Sequence, residues 1–334
     1  MFYRDKEKMI NFAVMKIVPL KFRPYYKRTI WGGTEIARFK GETSDHEDVG
    51  ESWELSALPN GESTVAEGPY AGYPLSRLIE EFGELLLGAR SIKLYGKTFP
   101  LLVKLIDAND NLSVQVHPDD SLAARRHGCK GKTEMWYIIS TRPGAKIYSG
   151  LNRAMTREEY VKSVNEGTFA EYVAAHDSAP GDVFFLPAGQ VHAIGSGNFL
   201  AEIQQPSDIT YRIFDYNRVD AEGNSRELHT EQALDAIDFS GKGEGRRKAH
   251  SFPEGDASLV ECEFFKVRRL RVYGERQLPL NADDFMILVC VEGKAAIALE
   301  EGEVKMRAGQ TVLIPAAAKR LTLGGHATLL TATL

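Results

Sequence analysis

No apolar run anywhere in these 334 residues is long enough to span a bilayer. The N-terminal stretch MFYRDKEKMINFAVMKIVPLKF also lacks the uninterrupted apolar core of a secretion signal. Cysteine is scarce: Cys129, Cys262 and Cys290 cannot pair evenly and share no CxxC spacing. That argues against a disulfide framework and a cysteine zinc site, and fits a reducing compartment. Excess positive charge is missing too, since 41 Lys and Arg face 46 Asp and Glu for a formal net charge of −5. Neither nucleic acid nor an anionic membrane is therefore an expected partner. The cytoplasm is the expected location. Met15 opens a Met-Lys-Ile-Val-Pro stretch that reads like a natural start, so residues 1–14 are expected to lie outside the fold.

Regular βαβ alternation is also absent, which argues against a doubly wound parallel sheet. Short runs rich in Val, Ile, Leu and Phe predict strands instead, at 100–106, 112–116, 135–140, 183–186, 200–204, 264–272, 285–291, 295–299 and 311–314. Many short strands with Gly, Pro or charged turns between them predict a mainly β protein, a barrel or a sandwich. Helical spacing is local: 75–87, then 156–175 with Gly167 dividing it, then 230–237. The polar stretch 240–255 has the composition of a linker. It divides the chain into 15–240 and 241–334, about two domains' worth of residues.

An internal repeat links the halves. Gly181-x5-Pro187-x-Gly189-xx-His192 has a counterpart in Gly309-x5-Pro315-x-Ala317-xx-Arg320, and upstream Glu134-Met-Trp-Tyr-Ile-Ile aligns with Asp284-Phe-Met-Ile-Leu-Val. Two copies of one β unit are expected, the first enlarged by helices and the second short. The second copy does without a histidine at the position of His192, which points His192 toward chemistry.

Polar residues interrupt the first copy in a pattern. In Leu112-Ser113-Val114-Gln115-Val116-His117, Ser113, Gln115 and His117 share one strand face and the apolar residues share the other. Such a face suits a barrel mouth that holds water, a metal or a ligand. With Glu134 on the next strand and His192 in the later turn, two imidazoles, a carboxylate and an amide oxygen make a candidate site for a divalent ion such as zinc. Lys104 interrupts an otherwise apolar strand, so its charge must reach the mouth or a partner. Trp53, flanked by Glu51, Ser52 and Glu54, is a candidate rim aromatic.

The Gly181–His192 spacing is similar to the second motif of the cupin superfamily, although Ser196 stands where cupins often carry asparagine. A closer likeness covers the chain from about Val18 onward. Pro100-Leu-Leu-Val-Lys104, Ser113-x-Gln115-x-His117-Pro-Asp119, Gly131-Lys132-Thr-Glu134, Pro187-Ala-Gly-x-x-His192 and Ser207-Asp208-x-Thr-Tyr-Arg212 together resemble the type I mannose-6-phosphate isomerases, best the short bacterial form. The resemblance implies two cupin β-barrels and an aldose–ketose isomerase that interconverts mannose 6-phosphate and fructose 6-phosphate through an enediol. It places Gln115, His117, Glu134 and His192 on the metal ligands for one ion per chain, expected to be zinc. Arg212 falls on the active-site arginine and Lys132 near the substrate, and both are expected to be catalytic. Lys104 and Ser113 fall on the phosphate side.

Such a reaction needs a base, stabilisation of a developing oxyanion and a grip on the phosphate. For the proton shuttle, Lys132, Glu202, Asp208 and a metal-bound water all remain open. Arg212 has a structural alternative, a salt bridge to Asp208. Two other readings of the whole chain stand beside the isomerase: a cupin dioxygenase around Fe(II), and a non-catalytic sugar-binding cupin. Monomer and homodimer are both compatible with the sequence.

Overall fold

Strands whose faces are both covered organise the chain, and they stack in three layers. The computed structural model describes residues 16–43, 48–219, 222–241 and 245–334, so the expectation for residues 1–14 lies outside the described residues. One sheet runs Arg246–Arg247, Val183–Leu186, Glu134–Thr141, Asn198–Gln204, Leu102–Ala108, Val49–Leu55, Tyr25–Gly33. A second runs Tyr211–Phe214, Val114–Val116, His192–Ile194, Lys146–Leu151, Val173–Asp177. The third runs Ala257–Glu261, Lys266–Pro279, Arg320–Thr333, Met286–Leu299, Thr311–Ile314, Leu20–Arg23, Thr64–Val65, with Gly302–Arg307 paired to Met286–Leu299.

The strand Leu102–Ala108 shows how the layers meet, being buried along its whole length. Its residues alternate with the strand period of two. Val103 and Leu105 enter the core shared with the third sheet, while Ile106 and Ala108 pack toward the second sheet with Trp136 and Ile147. Burying each such side chain contributes about 1.5–3 kcal/mol relative to exposure. Lys104 lies on the Ile106 face, which sets its charge between the first two sheets.

A closed barrel was expected in each half, and among the described residues no sheet closes on itself. The free edge of Thr311–Ile314 is taken by Leu20–Arg23 (Leu20 opposite Leu313), and Thr64–Val65 then extends the sheet outward. An edge paired this way no longer has an open ladder with which to close. The third sheet therefore includes residues from both sides of the expected boundary. Part of the stretch expected to be a linker is also ordered: Arg246–Arg247 pairs with Val183–Leu186, and Asp182 accepts from Arg246 Nη2 and Ala249 N at 2.8 Å each.

The expected helix at 75–87 divides into Leu75–Phe82 and Glu84–Leu87 at Gly83. That at 156–175 starts on a capping box, with Glu159 N donating to Thr156 Oγ1 at 3.1 Å and Thr156 N donating to Glu159 Oε2 at 2.7 Å. It ends at Asn165, short of Gly167, and the chain continues as a single 3₁₀ turn and the strand Val173–Asp177. The third helix is Thr230–Ala236.

The repeat is present in the backbone, with one correction to its alignment. Gly181 and Gly309 share the same left-handed φ, +85° and +84°, and their amides donate to Ile138 O and Cys290 O. Register then pairs Leu186 with Glu134 and Ile314 with Met286, so the counterpart of Glu134 is Met286 and not Asp284. A shift of two residues keeps the same strand face, which is why the apolar pattern alone matched the wrong pair.

Candidate active site

Between the first two sheets the polar positions converge. Val114 and Val116 pack into the apolar cluster behind the second sheet, which turns Gln115 the other way. His192 stands directly opposite Gln115 in the ladder. Glu134 opens its strand between Leu186 and Gln204, fully buried, and His117 and His192 are buried beside it. His117 Nε2 lies 3.5 Å from Glu134 Oε2, and His192 Nε2 lies 3.3 Å from Glu134 Oε1. Gln115 Nε2 is 3.3 Å from His192 Nε2, and a half-turn of the amide would present Oε1 there instead.

The far nitrogens fix the imidazoles. His117 Nδ1 is 2.9 Å from Ile209 O and His192 Nδ1 is 2.8 Å from Gln190 O, so each ring donates there and leaves Nε2 as a lone pair. His117 Nε2 and Glu134 Oε1 have no hydrogen-bond partner despite complete burial. Leaving such atoms unpaired costs about 1–3 kcal/mol each. Burial, joined by the charge of Lys132, holds His117 well below the ordinary imidazole range, and burial holds His192 down at about 4. Both rings are thus neutral, the form that ligates. Ligands about 2.0–2.1 Å from a tetrahedral ion stand roughly 3.3–3.4 Å apart, close to the two histidine–Glu134 separations, and all three donor atoms lie within 4.8 Å of one another. The donor set fits a divalent cation.

The surrounding charge fits one as well. Lys132 Nζ is 3.0 Å from Glu134 Oε2. Lys104, only 5% exposed, pairs with Glu202 at 2.9 Å and Glu51 at 3.4 Å. The expectation that this lysine needs a mouth or a partner is met by two partners. Trp136 Nε1 donates to Glu202 and Trp53 Nε1 to Glu51. Burial pushes the Glu51 carboxyl up, but Lys104, Lys27 and the Trp53 N–H outweigh it and bring it down to about 2. Burial and the neighbouring Glu202 raise Glu134 against the pull of Lys132 and Lys104. Three carboxylates thus face the three ammonium groups of Lys27, Lys104 and Lys132, and a dication would make the balanced set net positive, which suits an anionic ligand.

Beside this cluster lies a cavity of about 560 Å³, within the usual range of roughly 300–1,000 Å³ for small-molecule sites. Lys104, Ser113, Gln115, Lys132 and Arg212 all line it, as do Asp208 and Trp53. Trp53 is 1% exposed, so it is a buried wall and not a rim aromatic. Arg212 sits opposite Gln115 in the ladder, and its Nη1 donates to Glu227 O at 2.7 Å. It makes no ion pair with Asp208, which accepts from Asn60 Nδ2 at 2.7 Å. Lys27, Arg28, Glu51 and Arg226 also line the cavity and were not singled out as site residues from the sequence. They arrive from an edge strand, a neighbouring strand and a loop, and only the polar run around Trp53 hinted at one of them.

The family profile of the phosphomannose isomerase type I catalytic domain matches residues 20–162, and that of the mannose-6-phosphate isomerase cupin domain matches 256–334. The mannose-6-phosphate isomerase ManA of Bacillus subtilis is 38% identical over 94% of this chain and 98% of its own length. The chain belongs to the type I phosphomannose isomerases. A mannose-6-phosphate isomerase of Streptococcus mutans is 36% identical over 89% of this chain and 92% of its own. The crystal structure of a mannose 6-phosphate isomerase from Bacillus subtilis superposes with a TM-score of 0.84 at 33% identity, covering 95% of this chain and 99% of that one. These relatives are isomerases by name, and the dioxygenase and non-catalytic readings give way.

Proposed function

We propose that this isomerase interconverts mannose 6-phosphate and fructose 6-phosphate at the cavity beside His117, Glu134 and His192. The observation that carries the reading is a buried His–Glu–His cluster with unpaired donor atoms, whose immediate neighbours Gln115 and Lys132 line a cavity together with Arg212. Gln115, His117, Glu134 and His192 would hold one divalent ion, and their nitrogen and oxygen donors suit zinc. Such an ion supplies Lewis-acid polarisation of the sugar's C1 and C2 oxygens without redox chemistry.

The chain's own residues do the remaining work. Arg212 is half-buried, its Nη1 is anchored on Glu227 O, and its Nε has no hydrogen-bond partner among the described residues. Its planar fork is suited to the charge that develops on the enediolate oxygens. The Lys132 ammonium, 3.0 Å from Glu134, adds a second positive charge to the cavity wall. Glu51 and Glu202 are each tied to Lys104 and an indole N–H, which leaves Asp208, whose one hydrogen bond among the described residues is to Asn60, as the cavity carboxylate freest to take a proton between C2 and C1. Ser113 serves the phosphate end. Lys104 has its charge taken up by Glu51 and Glu202, and its place in this reading is the wall facing the sugar hydroxyls. The proposed setting is the cytoplasm, where the three free cysteines stay reduced.

Incubating the purified protein with mannose 6-phosphate and assaying fructose 6-phosphate tests the reading. Conversion that is lost with a chelator and restored by zinc supports it; no conversion in the metal-loaded protein overturns it. Arg212→Lys should lower kcat roughly a hundredfold while KM changes little. An unchanged kcat would return Arg212 to a structural role.

A further inference from the structure

Lys132 brings its charge to the cavity from a stretch of chain with no regular secondary structure. The way that stretch is held points to residues outside the motifs. The helix Asp120–His127 ends on Gly128, and the next strand opens only at Glu134. Residues 129–133 between them are neither helix nor strand. Lys132 is nevertheless only 4% exposed, with Nζ 3.0 Å from Glu134 Oε2. A long side chain on irregular backbone returns to one place only if the backbone beneath it is fixed.

Three successive amides fix it. Gly131 N donates to Asp120 Oδ1 at 2.8 Å, Lys132 N to Pro118 O at 3.1 Å and Thr133 N to Gln205 Oε1 at 2.8 Å. Gln205 closes the set: its Nε2 donates to the same Asp120 oxygen at 2.9 Å, and its N donates to Thr133 O at 3.1 Å. A Gln205–Asp120 bridge thus brackets Lys132 on both sides. Gly131 lies so near the start of the helix that a Cβ there would stand 2.5 Å from Asp119 C and Asp120 N. Only glycine fits. Beyond the lysine, Thr133 Oγ1 accepts from Ala188 N at 3.2 Å. Gln205 is 1% exposed and uses both ends of its amide in this bridge. Among the described residues that line the cavity, neither Asp120 nor Gln205 appears. An effect of either on turnover therefore has to pass through another group.

We infer that Asp120 and Gln205 are positioning residues that clamp the backbone of Gly131–Thr133 and so set Lys132 for the reaction. The inference rests on the isomerase reading and adds to it two residues that do not touch the substrate. Misplacing a reacting group by about 1 Å lowers turnover roughly a hundredfold. Substrate affinity draws on the whole cavity wall, so loosening one segment of it should scarcely move KM. Loss of the clamp should therefore appear in kcat.

The test uses the metal-loaded full chain with mannose 6-phosphate as substrate. Asp120→Ala removes the shared acceptor and should lower kcat roughly tenfold to a hundredfold, with KM within about twofold. Asp120→Asn keeps an oxygen for Gly131 N and Gln205 Nε2 and should hold kcat near wild type. Added to Lys132→Met, Asp120→Ala should lower kcat no further, because no ammonium is left to misplace. If Asp120 merely supports the fold, its Ala variant melts lower at unchanged kcat, or its loss adds in full to that of Lys132→Met. Either result overturns the inference. Should Lys132→Met turn over too slowly to time, the Asn and Ala variants decide alone: equal kcat overturns it, and a loss confined to Ala supports it. Hydrogen exchange reads the clamp apart from activity, since the Gly131 and Thr133 amides should be protected in wild type and exchange faster in Gln205→Met. Should that variant fail to fold, Asp120→Ala still decides. Faster exchange at Thr133 as well as Gly131 supports the bridge through Gln205, and unchanged exchange at Thr133 overturns it. Wild type that protects both amides yet converts no mannose 6-phosphate would support the clamp and overturn the isomerase reading alone.

Discussion

Two turns of the same shape end in opposite environments. After Gly181 the chain runs through Pro187 to His192, buried at 1% exposure against Glu134 and Gln115; after Gly309 it runs through Pro315 to Arg320, which is exposed and sits opposite Pro279 at the start of its strand. Where the first unit has Glu134 and Trp136, the second has Met286 and Leu288 by register. The interior of the second unit is filled by Leu270, Leu288, Ile297, Val312, Leu321 and Leu323. The second copy shows what the scaffold needs in order to fold, namely an apolar filling. The first departs from it at His117, Glu134 and His192, replacing favourable burial with atoms left unpaired. Such local conflicts mark sites maintained for chemistry.

The most damaging way to probe this contrast is at His192. His192→Ala should bring metal content from about one ion per chain to near zero and lower turnover roughly a thousandfold or more, since a Lewis acid contributes several kcal/mol. The fold should survive, because the second unit forms the same turn with no histidine there. A variant that keeps its metal and its activity would break the comparison.

Lys104→Met probes stability. The second unit has no buried lysine among the described residues, whereas Lys104 holds Glu51 and Glu202 together at 3.4 and 2.9 Å. Removing one partner of a buried ion pair costs about 3–5 kcal/mol, which denaturant unfolding would report. Adding Glu202→Gln to this variant should recover part of the loss, because one uncompensated charge is removed. A purely additive double mutant would show that Lys104 and Glu202 are not coupled.

Each half also buries a carboxylate with raised proton affinity, but only Glu134 faces imidazoles. Asp284 accepts from Leu334 N at 2.8 Å, and burial pushes its pKa from 3.8 up to about 6. A raised carboxyl pKa means the folded state binds the proton more tightly than the unfolded one. Its contribution is therefore fully present below pH 3.8 and is lost as pH rises through about 6. The melting temperature of wild type relative to Asp284→Asn should fall between pH 4 and 7 and then level off. A difference that rises with pH over that window would mean the carboxylate is stabilised in its charged form.

What could be read beforehand divides along physical lines. The alternation through Ser113, Gln115 and His117 exposed a polar face because strand periodicity is local, and Glu134 and His192 were legible from their places around two further strands. Val183–Leu186 and Thr311–Ile314 fall where the apolar runs predicted them. Sheet closure was not legible, since the pairing of Leu20 with Leu313 joins residues almost the whole chain apart. That Arg226 lines the cavity was hidden for a related reason: it comes from a loop and is held there by Asp215. Trp53 misled because polar neighbours on a strand face a cavity as readily as they face solvent. The two-residue slip that matched Glu134 to Asp284 arose because shifting by a full strand period preserves the apolar pattern.

The smallest expected effect comes from trying to give the second unit what it lacks. Arg320→His places an imidazole at the position equivalent to His192, yet the comparison says it should do almost nothing. The residue is exposed, so an imidazole there gains no desolvated setting. Its carboxylate counterpart by register is Met286, which has no ligand oxygen. Asp284 is two residues away and already accepts the Leu334 amide. One histidine with no second ligand within reach does not assemble the three or four donors a divalent ion requires. Metal analysis of the variant should still give about one ion per chain, activity should match wild type, and the melting temperature should move by only a degree or two, as for an ordinary surface substitution. A second tightly held ion in this variant would mean that the apolar unit keeps a latent site, and that a single residue separates the two halves.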